Sequence, residues 1–162
     1  MFEVLAQAFA AEGKLAELEN RPGDAAKSYL DTIRFGHELS RGGVIIDSLV
    51  GIAVQAIGLG PLEKLPRKLD AKSCREIAAT LEAIESKREP ATVIFQQERV
   101  WVRQTFGWKA QILHLISFRQ TQAARQKSAA RMAAIQARTR VVLVDLRSRA
   151  SELENAARPE NL

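Results

Sequence analysis

The stretch ENRPGDAAKSYLDTIRFG, from Glu19 to Gly36, decides the fold because it contains a helix-ending Pro-Gly pair followed by a new helical pattern. Apolar residues before it predict a first helix over about residues 2–19, and the Pro22-Gly23 pair ends that helix. Asp24 is placed to cap a second helix, in which Ala25, Tyr29 and Ile33 recur at helical spacing. The sequence therefore predicts two helices joined by a short loop.

The rest of the chain also has patterns that are typical of helices. It has 162 residues, 46% of them hydrophobic, which is enough for the core of one domain. Residues 44–59 are apolar almost all round, which predicts a helix surrounded by other helices, and Gly51 and Gly58 predict close helix approach there. We predict an all-α fold with helical hairpins packed around this central apolar helix and a long basic helix at the C-terminus. The predicted division is a helical core domain over 1–118 and a basic helix over 119–162, which could also link to a further domain.

Two further helices are predicted between the central helix and the basic segment. The first is capped by Asp70 or Ser73, and its inner face carries Cys74, Ile77, Leu81 and Ile84. A second, long pattern begins at Ala91, and Gly107 is a candidate kink within it. One apolar stripe of that pattern comprises Ile94, Trp101, Trp108, Ile112 and Leu115.

The first hairpin, GKLAELENRPGDAAKSYLDTI, is similar to the tetratricopeptide helical hairpin, in which small residues let two helices approach. The signature positions are occupied by Phe9, Gly13, Ala16, Ala25 and Tyr29. Asn20 stands where that hairpin usually has a turn Gly, and no second unit follows at about 34 residues. The resemblance therefore implies one repeat-like hairpin and no array.

Over residues 10–106 the chain resembles a family of uncharacterised bacterial helical proteins, through the stretches HELSRGGVIIDSLVGIAVQAIGLG, REP and QQERVWVRQT. In related proteins a helix leads into a small pseudopilin-like domain, and VVLVDLRSRASELENAARPENL looks like that helix. Residues 155–158 depart from the family pattern. The resemblance implies that the chain is a fragment of an envelope-associated protein.

Charge is concentrated in one segment. Residues 119–149 carry eight Arg or Lys against Asp145 alone, a net charge of +7, whereas residues 1–118 sum to zero. A basic helix of this kind neutralises phosphates or anionic headgroups, and without a base-reading motif it would do so independently of sequence. The candidate anion-binding residues are Arg119, Arg125, Lys127, Arg131, Arg138 and Arg140.

The same segment carries a narrow apolar stripe that predicts a helix-packing face. Its members are Met132, Ile135, Val142, Leu146 and Leu153. Three partners for this face stay open at the sequence level: the preceding core, a second copy of the chain, or a segment that the chain lacks.

Residues for catalysis or metal binding are few. His37 and His114 lie far apart and neither has the spacing of a metal-binding helix. Cys74 would need a lowered pKa to act as a nucleophile, and Asp47 with Glu98 would need burial as a pair to act as acid and base. The simpler interpretations are a core cysteine, a carboxylate near a helix start at Asp47, and, for Glu98, pairing with Arg99 or Arg103 or partial exposure. We expect no enzyme activity, metal or cofactor.

The sequence predicts a non-catalytic helical interaction or structural module, with a protein partner or self-association. The alternative is sequence-independent binding of nucleic acid or anionic surfaces through 119–149. A single Cys excludes an intramolecular disulfide, and we recognise neither a signal peptide nor a transmembrane segment. These features favour the cytoplasm by default, whereas the family resemblance favours the envelope.

Overall fold

The computed structural model describes residues 2–107 and 118–157, and within these ranges the fold is all-α, as predicted. The bounds are Phe2–Leu18 for α1, Pro22–Ser40 for α2, Ile45–Leu62 for α3, Ala71–Glu85 for α4, Ala91–Phe106 for α5 and Phe118–Ala157 for α6. A single 3-10 turn, Pro66–Lys68, separates α3 from α4. The helices pack around α3, which contacts α1, α2, α5 and α6.

The α1–α2 hairpin closes around one aromatic ring. Gly13 leaves room for the ring of Tyr29, because a Cβ at this position would lie only 2.5 Å from Tyr29 Cε1. The Tyr29 hydroxyl donates to Glu17 Oε1 at 2.7 Å, so the buried ring keeps a polar partner at its tip. The hairpin is thus joined by the packed Tyr29 ring with its hydrogen bond, and also by contacts of the Phe35 ring with Phe2 and Phe9.

The loop of this hairpin differs from the prediction at Asp24. The second helix begins at Pro22, which occupies its first turn, and Arg21 holds the N-cap position. Asp24 therefore lies inside the helix, where its carboxylate accepts from Arg21 Nη1 at 2.8 Å. Asn20 adopts φ 57°, the left-handed conformation that commonly follows a helix and that Asn tolerates better than most residues.

Glycines set the crossing of α2 and α3, as predicted for Gly51 and Gly58. A Cβ on Gly58 would lie 2.6 Å from the Tyr29 carbonyl oxygen, and one on Gly36 would lie 2.6 Å from the Gly51 carbonyl oxygen. A Cβ on Gly51 would overlap the Gly36 carbonyl oxygen and Ser40 Oγ. The two backbones are therefore in direct contact along about two turns of helix.

Helix α3 is central but not surrounded on all sides, contrary to the prediction. Its apolar residues Ile46 and Val50 are 67% and 40% exposed, because α2, α5 and α6 cover only part of its circumference near its start. Pro61 lies inside the last turn of the helix, which runs to Leu62. Pro61 is tolerated so close to the end because few backbone hydrogen bonds follow it.

The stretch Ile45–Lys68 also meets the length and composition expected of a membrane span. Its most apolar window is 39% buried inside the structure. Core helices of soluble proteins meet the same criterion, so the absence of a transmembrane segment stays a prediction.

Helix α4 agrees with its prediction. Asp70 is the N-cap, and its carboxylate accepts from the Ser73 backbone N–H at 2.7 Å. Its inner face carries Cys74, Ile77, Leu81 and Ile84, all buried in the core.

Helix α5 ends at Phe106, where Gly107 adopts φ 57°. The predicted continuation with a kink at Gly107 is therefore wrong at this point, because the left-handed glycine stops the helix. Trp108, His114 and the rest of the predicted stripe lie outside the described residues.

Candidate functional site

The predicted packing face of α6 is covered by the preceding core. Met132, Ile135, Val142 and Leu146 are buried, the last two completely, while Leu153 is only half-buried near the helix end. Helix α6 packs mainly against α4 and α3, with smaller contacts to the 3-10 turn and α5. Of the three partners left open by the sequence, the structure therefore places the core of the same chain against the stripe.

Ion pairs accompany this packing along α6. Arg138 Nη2 donates to Glu63 Oε2 at 2.8 Å, and Arg147 donates to Glu82. Near the end of the helix, Glu154 pairs with Arg75 of α4 at 2.8 Å. Three charged side chains of α6 thus form ion pairs with residues on α4 or directly after α3.

The candidate anion-binding residues separate into groups. Arg138 is engaged by Glu63, and Arg119 has a side chain outside the described part of the chain. Lys127 and Arg131 are exposed and, within the described ranges, have no ion pair with an acid. Arg125 is half-buried. Arg140 lines a cleft that is described below.

The end of α5 exposes large apolar side chains. Val100, Trp101 and Phe106 are about half exposed, and the Trp101 and Phe106 rings meet edge to face at 6.1 Å between centroids. Ile94, one stripe position before Trp101, is the buried residue that holds α5 to the body. The stripe of α5 therefore starts in the core and continues into solvent.

Three carboxylates satisfy backbone N–H groups before and at the start of α3. Asp47 accepts from Val44 at 2.9 Å, Glu98 from Ile45 at 3.0 Å, and Glu89 from Gly42 at 3.2 Å. Such N–H groups have no partner inside the helix, and acids there are favoured by the helix dipole. Asp47 is thus explained by the helix start, as expected. Of the two interpretations of Glu98, its partial exposure is observed, whereas its carboxylate accepts from the Ile45 backbone N–H instead of pairing with Arg99 or Arg103.

A cleft of about 740 Å³ lies where α2, α3, α4, α5 and α6 meet. At its polar end, Arg88 donates to Glu85 Oε2 at 2.9 Å and to Gln55 Oε1 at 2.6 Å. Gln55 Nε2 in turn lies 3.5 Å from Ser40 Oγ, which donates to the Gly36 carbonyl oxygen at 2.9 Å. Side chains from three helices are held in one network.

Two buried polar atoms in this cleft lack a hydrogen-bond partner among the described residues. They are His37 Nε2 and Ser48 Oγ, in residues that are 2% and 1% exposed. Burial lowers the pKa of His37, and the charge of Arg88 lowers it further, so the imidazole is neutral at pH 7. The sequence shows no metal-binding spacing at His37, and it does not single out Ser48. The only signal was polar residues interrupting an apolar helix.

Cys74 has the opposite environment to an activated nucleophile. It is completely buried, and burial raises the pKa of its thiol. Over the described ranges, no three His, Cys, Asp or Glu side chains come together as a metal site.

Compared with protein-family models, curated proteins and solved structures, the chain gives no significant match. The resemblances to the tetratricopeptide hairpin and to the bacterial helical family therefore stay predictions.

Proposed function

We propose that this chain is a non-catalytic helical interaction module that pairs with a second copy of itself through the exposed end of α5. The observation that carries the proposal is the half-exposed Trp101 ring in contact with Phe106 on a stripe that begins in the core. Tryptophan is enriched among the residues that dominate binding energy at protein interfaces.

The choice of α5 follows from what the chain has already used. The apolar stripe of α6 packs inside the protein. The stripe of α5, in contrast, continues from the buried Ile94 to Trp101, which is half exposed. A symmetric dimer uses one surface patch twice, and it is the commonest oligomer of soluble proteins. A second copy therefore supplies a complementary apolar surface without another protein.

The test is the molar mass by light scattering over a series of protein and salt concentrations. We expect a monomer–dimer equilibrium that tightens with salt, because the net charge of +5 opposes association and salt screens it. Trp101→Gln should shift the protein to monomer. Leu18→Gln, at a 76% exposed position on α1, is the matched control and should leave the dimer intact. A wild-type monomer at every concentration would contradict the proposal.

A second candidate function is sequence-independent anion binding through α6. Lys127 and Arg131 are four residues apart on one helix face, where like charges repel, and the described residues supply no acid to offset them. A phosphate backbone or an anionic membrane would relieve that repulsion.

This candidate is tested by binding to duplex DNA of random sequence and to vesicles containing anionic lipid. Affinity should fall steeply as salt rises, the opposite of the expected dimer behaviour. Lys127→Gln with Arg131→Gln should weaken binding, whereas Lys27→Gln with Arg34→Gln changes the net charge equally at exposed positions on α2 and should not. Equal losses of affinity in both double variants would mean that binding depends on the net charge alone and not on Lys127 and Arg131.

A further inference from the structure

The cleft around His37 has an apolar wall and a polar end. Ile52, Ile94, Met132 and Leu143 form much of the apolar wall, and the volume of about 740 Å³ is within the range of small-molecule sites. The polar end carries the network of Arg88, together with Ser48. The cleft therefore offers one surface for hydrocarbon and another for a polar group.

The acids that line the cleft already have donors. Glu85 accepts from Arg88, Glu82 from Arg147, and Glu89 from the Gly42 N–H. Arg41 is also matched, because it pairs with Glu38 at 3.0 Å. Among the described side chains of the lining, the groups without a hydrogen bond or ion pair are the Arg140 guanidinium, the Gln136 amide, the Ser48 hydroxyl and His37 Nε2.

These unpaired groups of the cleft lining have the chemistry of a site for a singly charged anion. A guanidinium presents two parallel N–H groups that match a carboxylate, and a serine hydroxyl can donate to the same group. Arg140 is the lining cation without an ion pair to an acid among the described residues. The three lining glutamates, of which Glu89 has no cation partner, repel a doubly charged phosphate more strongly than a singly charged carboxylate. Burying polar atoms without a partner costs free energy, and a ligand would remove that cost.

We propose that the cleft binds a small monocarboxylate with an apolar body, with its carboxylate at Arg140, Ser48 and His37 and its body against Ile52, Ile94, Met132 and Leu143. The inference goes beyond the interaction module proposed above, since it concerns a different surface and a different class of ligand.

The experiment is isothermal titration of the full chain with octanoate, 1-octanol, acetate and inorganic phosphate, below the concentration at which octanoate forms micelles. Octanoate should bind one to one and more tightly than the other three probes. Octanol lacks the charge, acetate lacks the apolar body, and phosphate carries excess charge. Octanoate that fails to bind, or that binds no better than octanol, overturns the proposal, and so does phosphate binding as tightly as octanoate.

Variants locate the site. Arg140→Gln should weaken octanoate binding about tenfold or more, as expected for a charge-assisted hydrogen bond, and should leave octanol binding unchanged. Arg67→Gln is the matched control, because it removes the same charge from an exposed position of the 3-10 turn, outside the lining of the cleft. Equal affinities of these two variants overturn the assignment to Arg140. Ser48→Ala provides a second check, since it removes a hydroxyl with no described partner and should weaken binding severalfold while the protein stays folded.

Discussion

Single atoms decide the crossing of α2 and α3. At Gly51 any side chain would meet the Gly36 backbone carbonyl and the Ser40 hydroxyl, and a backbone cannot move aside as a flexible side chain can. At Gly60 an added Cβ meets only the tip of Arg138, at 3.7 Å. Two glycines of one helix thus have opposite tolerance for the same change.

We therefore expect Gly51→Ala to lower the free energy of unfolding by about 1–3 kcal/mol or more, through overpacking. Gly60→Ala should leave it unchanged or raise it by up to about 1 kcal/mol, because alanine favours helix. Urea unfolding of both variants measures the difference. Equal effects would mean that helix propensity, and not the crossing, determines the outcome.

His37 makes stability depend on pH. Its pKa in the folded chain lies below the usual 6.5, because burial and the charges of Arg88 and Arg41 outweigh those of Glu38 and Glu85. The unfolded chain therefore binds more protons below about pH 6.5, and stability falls as the pH decreases. This loss of stability begins at a pH above the range in which the carboxylates titrate.

The check is the free energy of unfolding measured between pH 7.5 and about 5, around the ordinary pKa of His. Wild type should lose stability toward the acidic end, and His37→Gln should show a smaller slope whatever its absolute stability. An identical slope in both proteins would contradict the lowered pKa.

At the scale of helices, α6 is fixed to the body by a few apolar side chains. Leu146 and Val142 are completely buried, whereas Val144 is 61% exposed. Buried and exposed apolar positions thus alternate within about one turn of α6. The periodicity of the sequence predicts which face of the helix packs, but not which element it packs against.

Leu146→Ala should lower the free energy of unfolding by about 2–5 kcal/mol, because it leaves a cavity between α6 and α4. Val144→Ala should change it by less than about 0.5 kcal/mol. Thermal and urea unfolding provide the measurement. If α6 separated easily from the body, the two variants would behave alike.

The start of α3 depends on Glu98, which is contributed by α5. Glu98→Ala should cost about 1 kcal/mol, because it leaves the Ile45 N–H without its acceptor, and should speed amide exchange in α5. Glu98→Gln keeps an acceptor oxygen and should cost less. Hydrogen exchange followed by mass spectrometry resolves the effect on α5.

For the whole molecule, helical periodicity and glycine positions predicted the all-α class, the inner face of α4 and a close helix approach at Gly51 and Gly58. The end of α5 was not predictable in this way, since Gly107 is compatible with either a kink or a stop. The cleft was also missed, because its lining comes from five helices and no local pattern relates His37 to Ser48 and Arg140. A charge count located the basic segment but not which of its charges are already paired.

The ion pairs of Arg138, Arg147 and Glu154 have a consequence for alignment. Their exposed geometry contributes little to stability, but a slip of α6 by one turn, about 5.4 Å, would separate all three at once. These charges therefore reinforce the register that the burial of Val142 and Leu146 sets, and concentrated salt would weaken that reinforcement before it weakened the fold.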